Sequence, residues 1–211
     1  MQSNTARKKL LFIGTGGTIA SELSEGALSP ALGAEQLLRL VPDVSRMCDA
    51  DAVQLFELDS TDIMPEHWIR IADEIIRRYD DYDGFVIAHG PDTMAYTASA
   101  LSYLIQNSRK PIVLTGAQKP IGFETTDSKQ NLSDSFLCAA SGMAGVLVVF
   151  GGQVLLGTRA RKTRSKSFSA FSSPNYPPLA TVQNGRMALY FDPTEGETHF
   201  CRSLDPSVGL L

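Results

Sequence analysis

Residues 89–94 read His-Gly-Pro-Asp-Thr-Met and follow the apolar run Phe85, Val86, Ile87, Ala88. The turn sets a carboxylate, Asp92, beside a hydroxyl, Thr93, with His89 at its entrance and Pro91 at its centre. A carboxylate at this point can cap the helix that follows. It can equally hold a cationic group of a ligand, because an ammonium buried without a partner is costly. A second turn, GTGGTIAS at 14–21, offers Thr15 and Thr18 among glycines that let backbone N–H groups approach a ligand. A threonine hydroxyl becomes a nucleophile when a base takes its proton, and nearby N–H groups can hold the oxyanion its attack creates. The same residues can also form a Ser/Thr turn that merely closes a strand. A third turn, Asp-Ser-Thr-Asp at 59–62, presents Ser60 and Thr61, and taken alone reads as a helix start. The basic run RARKTRSK at 159–166 places Lys162 among arginines. Neighbouring positive charge and partial desolvation lower a lysine's pKa and make it a possible base; otherwise such a run is a solvated segment or a phosphate patch.

These turns need elements to hold them. Residues 10–14 predict a short buried strand, followed by a long Gly- and Ser-containing loop to residue 33. Residues 34–41 predict a helix that stops before Pro42, and 52–58 a strand. Pro65 suits the first turn of a helix, and Trp68, Ile71, Ala72, Ile75, Ile76 and Tyr79 recur at steps of three and four, an amphipathic stripe. Strands at 84–89, 111–116 and 145–150 alternate with helices at 94–106 and 127–143, the last with Asp127 as its cap. Residues 151–159 predict a hairpin, the Pro-rich stretch from 172 to 185 an irregular segment, and 187–191 a last strand. Strands that are apolar throughout and alternate with helices imply an α/β fold, a mostly parallel sheet with helices on both faces. Such sheets bind ligands at the carboxyl ends of their strands. GTGGTIAS, DSTD, HGPDTM and TGAQKP, the last containing Ala117 and Gln118, all fall at such ends.

Composition narrows the function classes. The 211 residues are 43% hydrophobic and 20% charged, enough for a large core, and a net charge of −4 argues against nucleic-acid binding. No apolar run approaches the ~20 residues of a membrane helix. Three widely spaced cysteines, Cys48, Cys138 and Cys201, suggest neither a disulfide framework nor a zinc site, so a cytoplasmic protein is expected. The N-terminal basic and apolar residues imitate a signal peptide, but the apolar stretch is too short before the glycines and reads as the first strand. GTGGT is not a dinucleotide fingerprint, because Ile19 stands where the third glycine belongs and no helix starts at once. With only His67, His89 and His199 available, no Ser/His/Asp triad and no metal cluster can be assembled from spacing.

Taken together, GTGGTIAS, LDSTDI, DGFVIAHGPDTMAYTASALSY, KPIVLTGAQKP and GTRARKTRSKSFSAF followed by NYP resemble the asparaginase/glutaminase family, in particular its bacterial cytoplasmic type I members. The resemblance runs through nearly the whole chain. It implies the family's N-terminal α/β domain over residues 1–195, with 196–211 as a linker towards a C-terminal domain that is missing here. It implies hydrolysis of the side-chain amide of L-asparagine through an acyl-enzyme. Thr18 would be the nucleophile, Asp92 would receive the substrate's α-ammonium, and Lys162 would work with Asp92 and a second threonine to move protons. Gly17, Ser60, Thr61, Asp92, Ala117 and Gln118 would bind the substrate, Ser60 at its α-carboxylate and Ala117 and Gln118 at its amide. It implies no metal or organic cofactor, and a homodimer or homotetramer.

Two departures stand out. The family's turn reads His-Gly-Thr-Asp-Thr, and its second catalytic threonine falls at Pro91, which has neither a hydroxyl nor an N–H. The expectation is a strongly impaired hydrolase, with an inactive amino-acid-binding or oligomerising remnant as the alternative. The tyrosine that family members often carry as a lid is also absent from the loop at 21–33.

Overall fold

The computed structural model describes residues 7–24, 27–192 and 196–205. The first residues of the signal-like stretch, the end of the region assigned to the first domain and the last residues of the expected linker lie outside these.

In chain order the elements are β1 Lys9–Gly16, β2 Ser21–Ser24, β3 Ala27–Pro30, α1 Ala34–Arg39, α2 Val44–Met47 and β4 Asp49–Leu58, followed by α3 Pro65–Arg77, β5 Gly84–Ala88, α4 Met94–Leu104, β6 Ile105–Gln106 and β7 Pro111–Thr115. Then come α5 Ser128–Ser141, β8 Gly145–Phe150, β9 Gln153–Leu156, β10 Arg161–Lys162, β11 Phe171–Ser172, β12 Ala180–Gln183, β13 Arg186–Leu189 and β14 His199–Phe200. The main sheet has the order β13-β12-β9-β8-β7-β5-β1-β4. The pairs β4/β1, β1/β5, β5/β7 and β7/β8 are parallel, and β8/β9, β9/β12 and β12/β13 antiparallel.

The apolar strands are covered twice, as their composition requires. Leu10, Phe12, Val86, Val113, Leu147 and Val149 pack with Leu37 of α1, Val44 of α2 and Leu132 and Phe136 of α5. The alternate residues, Leu11, Ile13, Phe85, Ile87, Leu114 and Val148, pack with Ile71 and Ile75 of α3 and Ala98 and Leu101 of α4. Successive side chains of one strand therefore feed opposite faces. Fully burying each large aliphatic or aromatic group contributes about 1.5–3 kcal/mol, so the central strands are the rigid frame of the site.

Several expectations are corrected in detail. Part of the long loop at 21–33 is a hairpin, with Ser21 opposite Pro30 and Leu23 opposite Leu28. Pro30 is tolerated because it ends a strand at an edge. The irregular Pro-rich segment ends in β12, which bridges β9 and β13; four residues behind a proline run give too short an alternation to read. The helix expected over 94–106 stops at Leu104, because residues 105–106 pair with β14. Asp92 does not cap α4, which begins after Thr93, and Asp127 stands at the cap position of α5 but its carboxylate makes no cap bond. The described part of the expected linker lies against the domain. Phe200 meets the Tyr79 ring edge-on at 5.1 Å, the Cys201 N–H donates to the Leu104 carbonyl at 2.8 Å, and Arg202 pairs with Asp73 at 3.3 Å.

Candidate active site

The parallel register delivers four turns to one edge of the sheet. Ala88 stands opposite Gly14 on one side and Thr115 on the other, and Gly16 opposite Leu58. After the last β1 residue the chain passes through Gly17 at φ +79°, where an added Cβ would lie 2.3 Å from the Gly90 nitrogen. Only glycine permits both that dihedral and that approach. The Gly17 N–H donates to the Leu58 carbonyl at 2.9 Å, and a single 3-10 turn, Thr18–Ala20, follows. Buried Ile19 anchors the turn, while Thr18 is half-buried. The Thr18 hydroxyl makes no hydrogen bond to another described residue. Thr15, by contrast, is buried and donates its hydroxyl to the Ala88 carbonyl at 2.8 Å. Of the two threonines offered by the sequence, Thr15 is structural and Thr18 is available.

At the end of β4, Asp59 accepts from both the Thr61 N–H and the Thr61 hydroxyl at 2.8 Å. Thr61 is thus committed within its own turn. Ser60 is 2% exposed and lies under Gly90, where an added Cβ would come within 2.5 Å of the Ser60 Oγ. The Thr93 hydroxyl donates to the Ser60 carbonyl at 2.6 Å. The turns at 14–18, 59–62 and 89–93 are therefore stacked backbone on backbone.

His89 is fully buried and does not face the crevice. Its Nδ1 bonds the Gly90 carbonyl at 2.7 Å and its Nε2 the Thr97 hydroxyl at 2.9 Å, which in turn accepts from the Trp68 indole at 2.9 Å. A carbonyl can only accept, so Nδ1 carries the proton and Thr97 donates to Nε2. Burial lowers the His89 pKa to about 4, against the partial opposition of the Gly90 carbonyl, so the ring stays neutral at pH 7.

Asp92 is 52% exposed at its side chain and accepts from the Lys162 ammonium at 2.5 Å; Lys162, on β10, is 16% exposed. The pair joins segments 70 residues apart. Together with Tyr96, Ser99, Arg159 and Pro174 it lines an open cleft of about 580 Å³. Thr18 and Ser60 are not among the lining residues of that cleft; their turns are stacked against Gly90, two residues before Asp92.

The fourth turn carries Ala117 and Gln118. The Ile121 N–H reaches the Ile19 carbonyl at 3.4 Å, which ties this turn to the one bearing Thr18. The Gln118 side chain donates to the Ser167 carbonyl at 3.2 Å, across to the segment that follows Lys162. Its backbone is held from α5. The Asp127 carboxylate accepts from the Gln118 N–H at 3.0 Å, the Lys119 N–H at 3.1 Å and the Asn131 amide at 3.2 Å. Asn131 also donates to the Gly116 carbonyl at 2.9 Å and accepts from the Gly151 N–H at 3.0 Å. The sequence reading missed this frame. Its signal was a pair of polar residues, Asp127 and Asn131, four apart on a helix face that the core should have made apolar.

Among the described residues no group of His, Cys, Asp and Glu could hold a metal ion, and no helix is long and apolar enough to cross a membrane.

The N-terminal domain model of the asparaginases matches residues 9–195. The L-asparaginase of Thermococcus kodakarensis is 41% identical over 204 residues, 95% of this chain and 62% of that protein. A solved structure, the thermostable L-asparaginase from that organism, superposes with a TM-score of 0.87 at 40% identity, covering 94% of this chain and 61% of that one. A probable cytoplasmic L-asparaginase from Campylobacter jejuni gives a TM-score of 0.80 at 32% identity over 88% of this chain and 58% of its own. A component of the glutamyl-tRNA(Gln) amidotransferase of Pyrococcus abyssi is 39% identical over 184 residues, 82% of this chain and 42% of that component. The chain spans less than two thirds of the length of each of these relatives.

Proposed function

The chain belongs to the asparaginase family, and from that premise we propose that it is built to hydrolyse the side-chain amide of L-asparagine, with turnover strongly reduced by Pro91. The reading assigns the attack to the Thr18 oxygen. Its proton passes by way of Lys162 to the departing amide nitrogen, ammonia leaves, and the resulting ester is cleaved by water to release L-aspartate and restore the hydroxyl. Asp92 receives the substrate ammonium and holds Lys162. Ser60 meets the α-carboxylate beside Gly17 and Thr61, and Ala117 and Gln118 meet the amide. No metal or organic cofactor enters the scheme. The contact that carries the reading is the 2.5 Å pair of Asp92 and Lys162, on a turn stacked directly against the one that presents Thr18.

Pro91 is buried at the centre of that stack. It offers no hydroxyl to relay a proton, and Thr93 does not replace it, since its hydroxyl is given to the Ser60 carbonyl. Removing one member of a catalytic proton relay costs on the order of 10³-fold or more in rate. Ammonia release measured on the purified protein and on Pro91→Thr tests this: the variant should be faster by roughly that factor. Equal rates in the two proteins would remove Pro91 from the account.

A second reading is favoured by the same residue: a remnant that binds the amino acid, or assembles with copies of itself, without turning substrate over. Titration calorimetry with L-asparagine and L-aspartate separates the two. Binding without ammonia release supports the remnant, and turnover supports the hydrolase. Both readings take residues 1–195 as the catalytic-type domain, with 196–211 leading towards a further domain, and both suit a cytoplasmic homodimer or homotetramer. The relative from Campylobacter jejuni, described as cytoplasmic, supports that location.

A further inference from the structure

We propose that Asp127, which holds the Gln118 backbone from the α5 side, is the positioning residue that aims the Ala117 carbonyl at the amide of the ligand, an inference that rests on the asparagine-binding reading above. Ala117 is fully buried. Neither its N–H nor its carbonyl makes a hydrogen bond to another described residue. Buried backbone groups are almost always paired, so two free ones on one residue point to a partner outside the fold.

The direction of both groups follows from the peptide planes. In a trans peptide the carbonyl and the N–H point in opposite directions. The plane between Ala117 and Gln118 has its N–H fixed on the Asp127 carboxylate at 3.0 Å, so its other end, the Ala117 carbonyl, points away from α5. The plane between Gly116 and Ala117 has its carbonyl fixed on Asn131 at 2.9 Å, so the Ala117 N–H also points away from α5. The next turn on that side is the one bearing Thr18, tied to this loop by the bond from the Ile121 N–H to the Ile19 carbonyl. The clamp is directional as well as close. Donors from Gln118, Lys119 and Asn131 converge on two carboxylate oxygens, which only accept. An asparagine at 127 would present one oxygen and one NH₂, and the NH₂ would face N–H groups.

A terminal amide donates to a carbonyl, whereas the carboxylate of L-aspartate does not. Misaiming the Ala117 carbonyl therefore weakens L-asparagine and spares L-aspartate. Calorimetric affinities for both amino acids, measured on the full chain and on Asp127→Asn, read this ratio. The expected result is a loss of about tenfold for L-asparagine with less than about twofold for L-aspartate, the size of one well-aimed hydrogen bond. Ser128→Ala removes the bond to the Lys119 carbonyl, 2.6 Å long in the wild type, which fixes neither peptide plane of Ala117, and should leave the ratio unchanged. If Asp127→Asn does not fold by circular dichroism, Asp127→Ser, which keeps one acceptor and adds no opposed NH₂, takes its place. Equal losses for both amino acids, or no loss, would show a purely structural clamp and overturn the proposal. A wild type that binds neither amino acid would overturn the asparagine-binding reading along with it.

Discussion

On the proposed reading, the single side chain at position 91 is what reduces turnover. The reason is local: its neighbours are already committed. Thr93 is spent on Ser60, Thr61 on Asp59, and His89 is sealed between Gly90 and Thr97. None of these three side chains is spare to stand in for the missing group, and the proposed reading gives the Ser60 hydroxyl to the substrate carboxylate. Sealing His89 has a consequence for stability. Its folded pKa, about 4, lies below the ordinary value of 6.5, so at pH values between them the unfolded chain binds a proton that the folded chain refuses. Stability from this group is intact above about pH 6.5 and falls as the solution is acidified towards pH 4, by roughly 3 kcal/mol in all. Asp134 works against it. Its carboxyl is 2% exposed, one oxygen has no partner among the described residues, and burial lifts its pKa from 3.8 to about 6. The folded chain therefore takes up a proton there before the unfolded chain does, and stability from Asp134 grows as pH falls from 6 towards 4. The two slopes oppose each other across the same window. Urea denaturation of Asp134→Asn should show a clear loss of stability between pH 6.5 and 4 where the wild type is much flatter. Parallel profiles for the two proteins would contradict it.

At the scale of elements, the turns are held by backbone contact more than by side chains. Gly17 is the sharpest case: a methyl group there would press on the Gly90 nitrogen while forcing φ +79° on an L-residue. Gly17→Ala should cost on the order of 2–4 kcal/mol, from strain and overpacking together. It should also disturb Thr18 and Asp92 jointly, which a chemical-shift comparison of the two turns would reveal; an unshifted spectrum and unchanged denaturation midpoint would argue that the turns are independent. The central strands were legible because Leu10 to Ile13 and Phe85 to Ala88 are apolar at every position, which only a doubly covered strand demands. Pro65 and the stripe from Trp68 to Ile76 marked α3 for the same kind of reason. Asp127 was misread because an aspartate at a helix start has two uses, and local sequence does not tell a cap from a clamp on a loop eight residues back. The three candidate hydroxyls, Thr15, Thr18 and Thr93, could be named from sequence. Which of them is free depends on carbonyls 73 and 33 residues away in the chain, a matter of strand register rather than of spacing.

For the molecule as a whole, the mixed sheet sets where the site can be. The parallel strands deliver the turns that carry Thr18, Ser60, Asp92 and Ala117 to one edge. The antiparallel continuation through β9 leads on to the short hairpin that returns Lys162 to Asp92. The opposite side of the domain is closed by residues 198–204. This strap hydrogen-bonds through β14 to β6, places Phe200 on Tyr79 and tucks Leu204 against the core of α3 and α4. Trp68 and Thr97, the outer members of the chain of hydrogen bonds that ends at His89, sit on those same two helices. Phe200 is more than a third exposed, so Phe200→Ala should cost about 1–2 kcal/mol, well short of a fully buried phenylalanine. Because the strap touches α3 and α4 and none of the four turns, the loss should appear in the urea midpoint and leave the affinity for L-aspartate within about twofold. An unchanged midpoint would mean that residues 196–205 rest on the domain without stabilising it, as a linker would. A fall in affinity that outruns the fall in stability would mean that strap and site are coupled through the two helices.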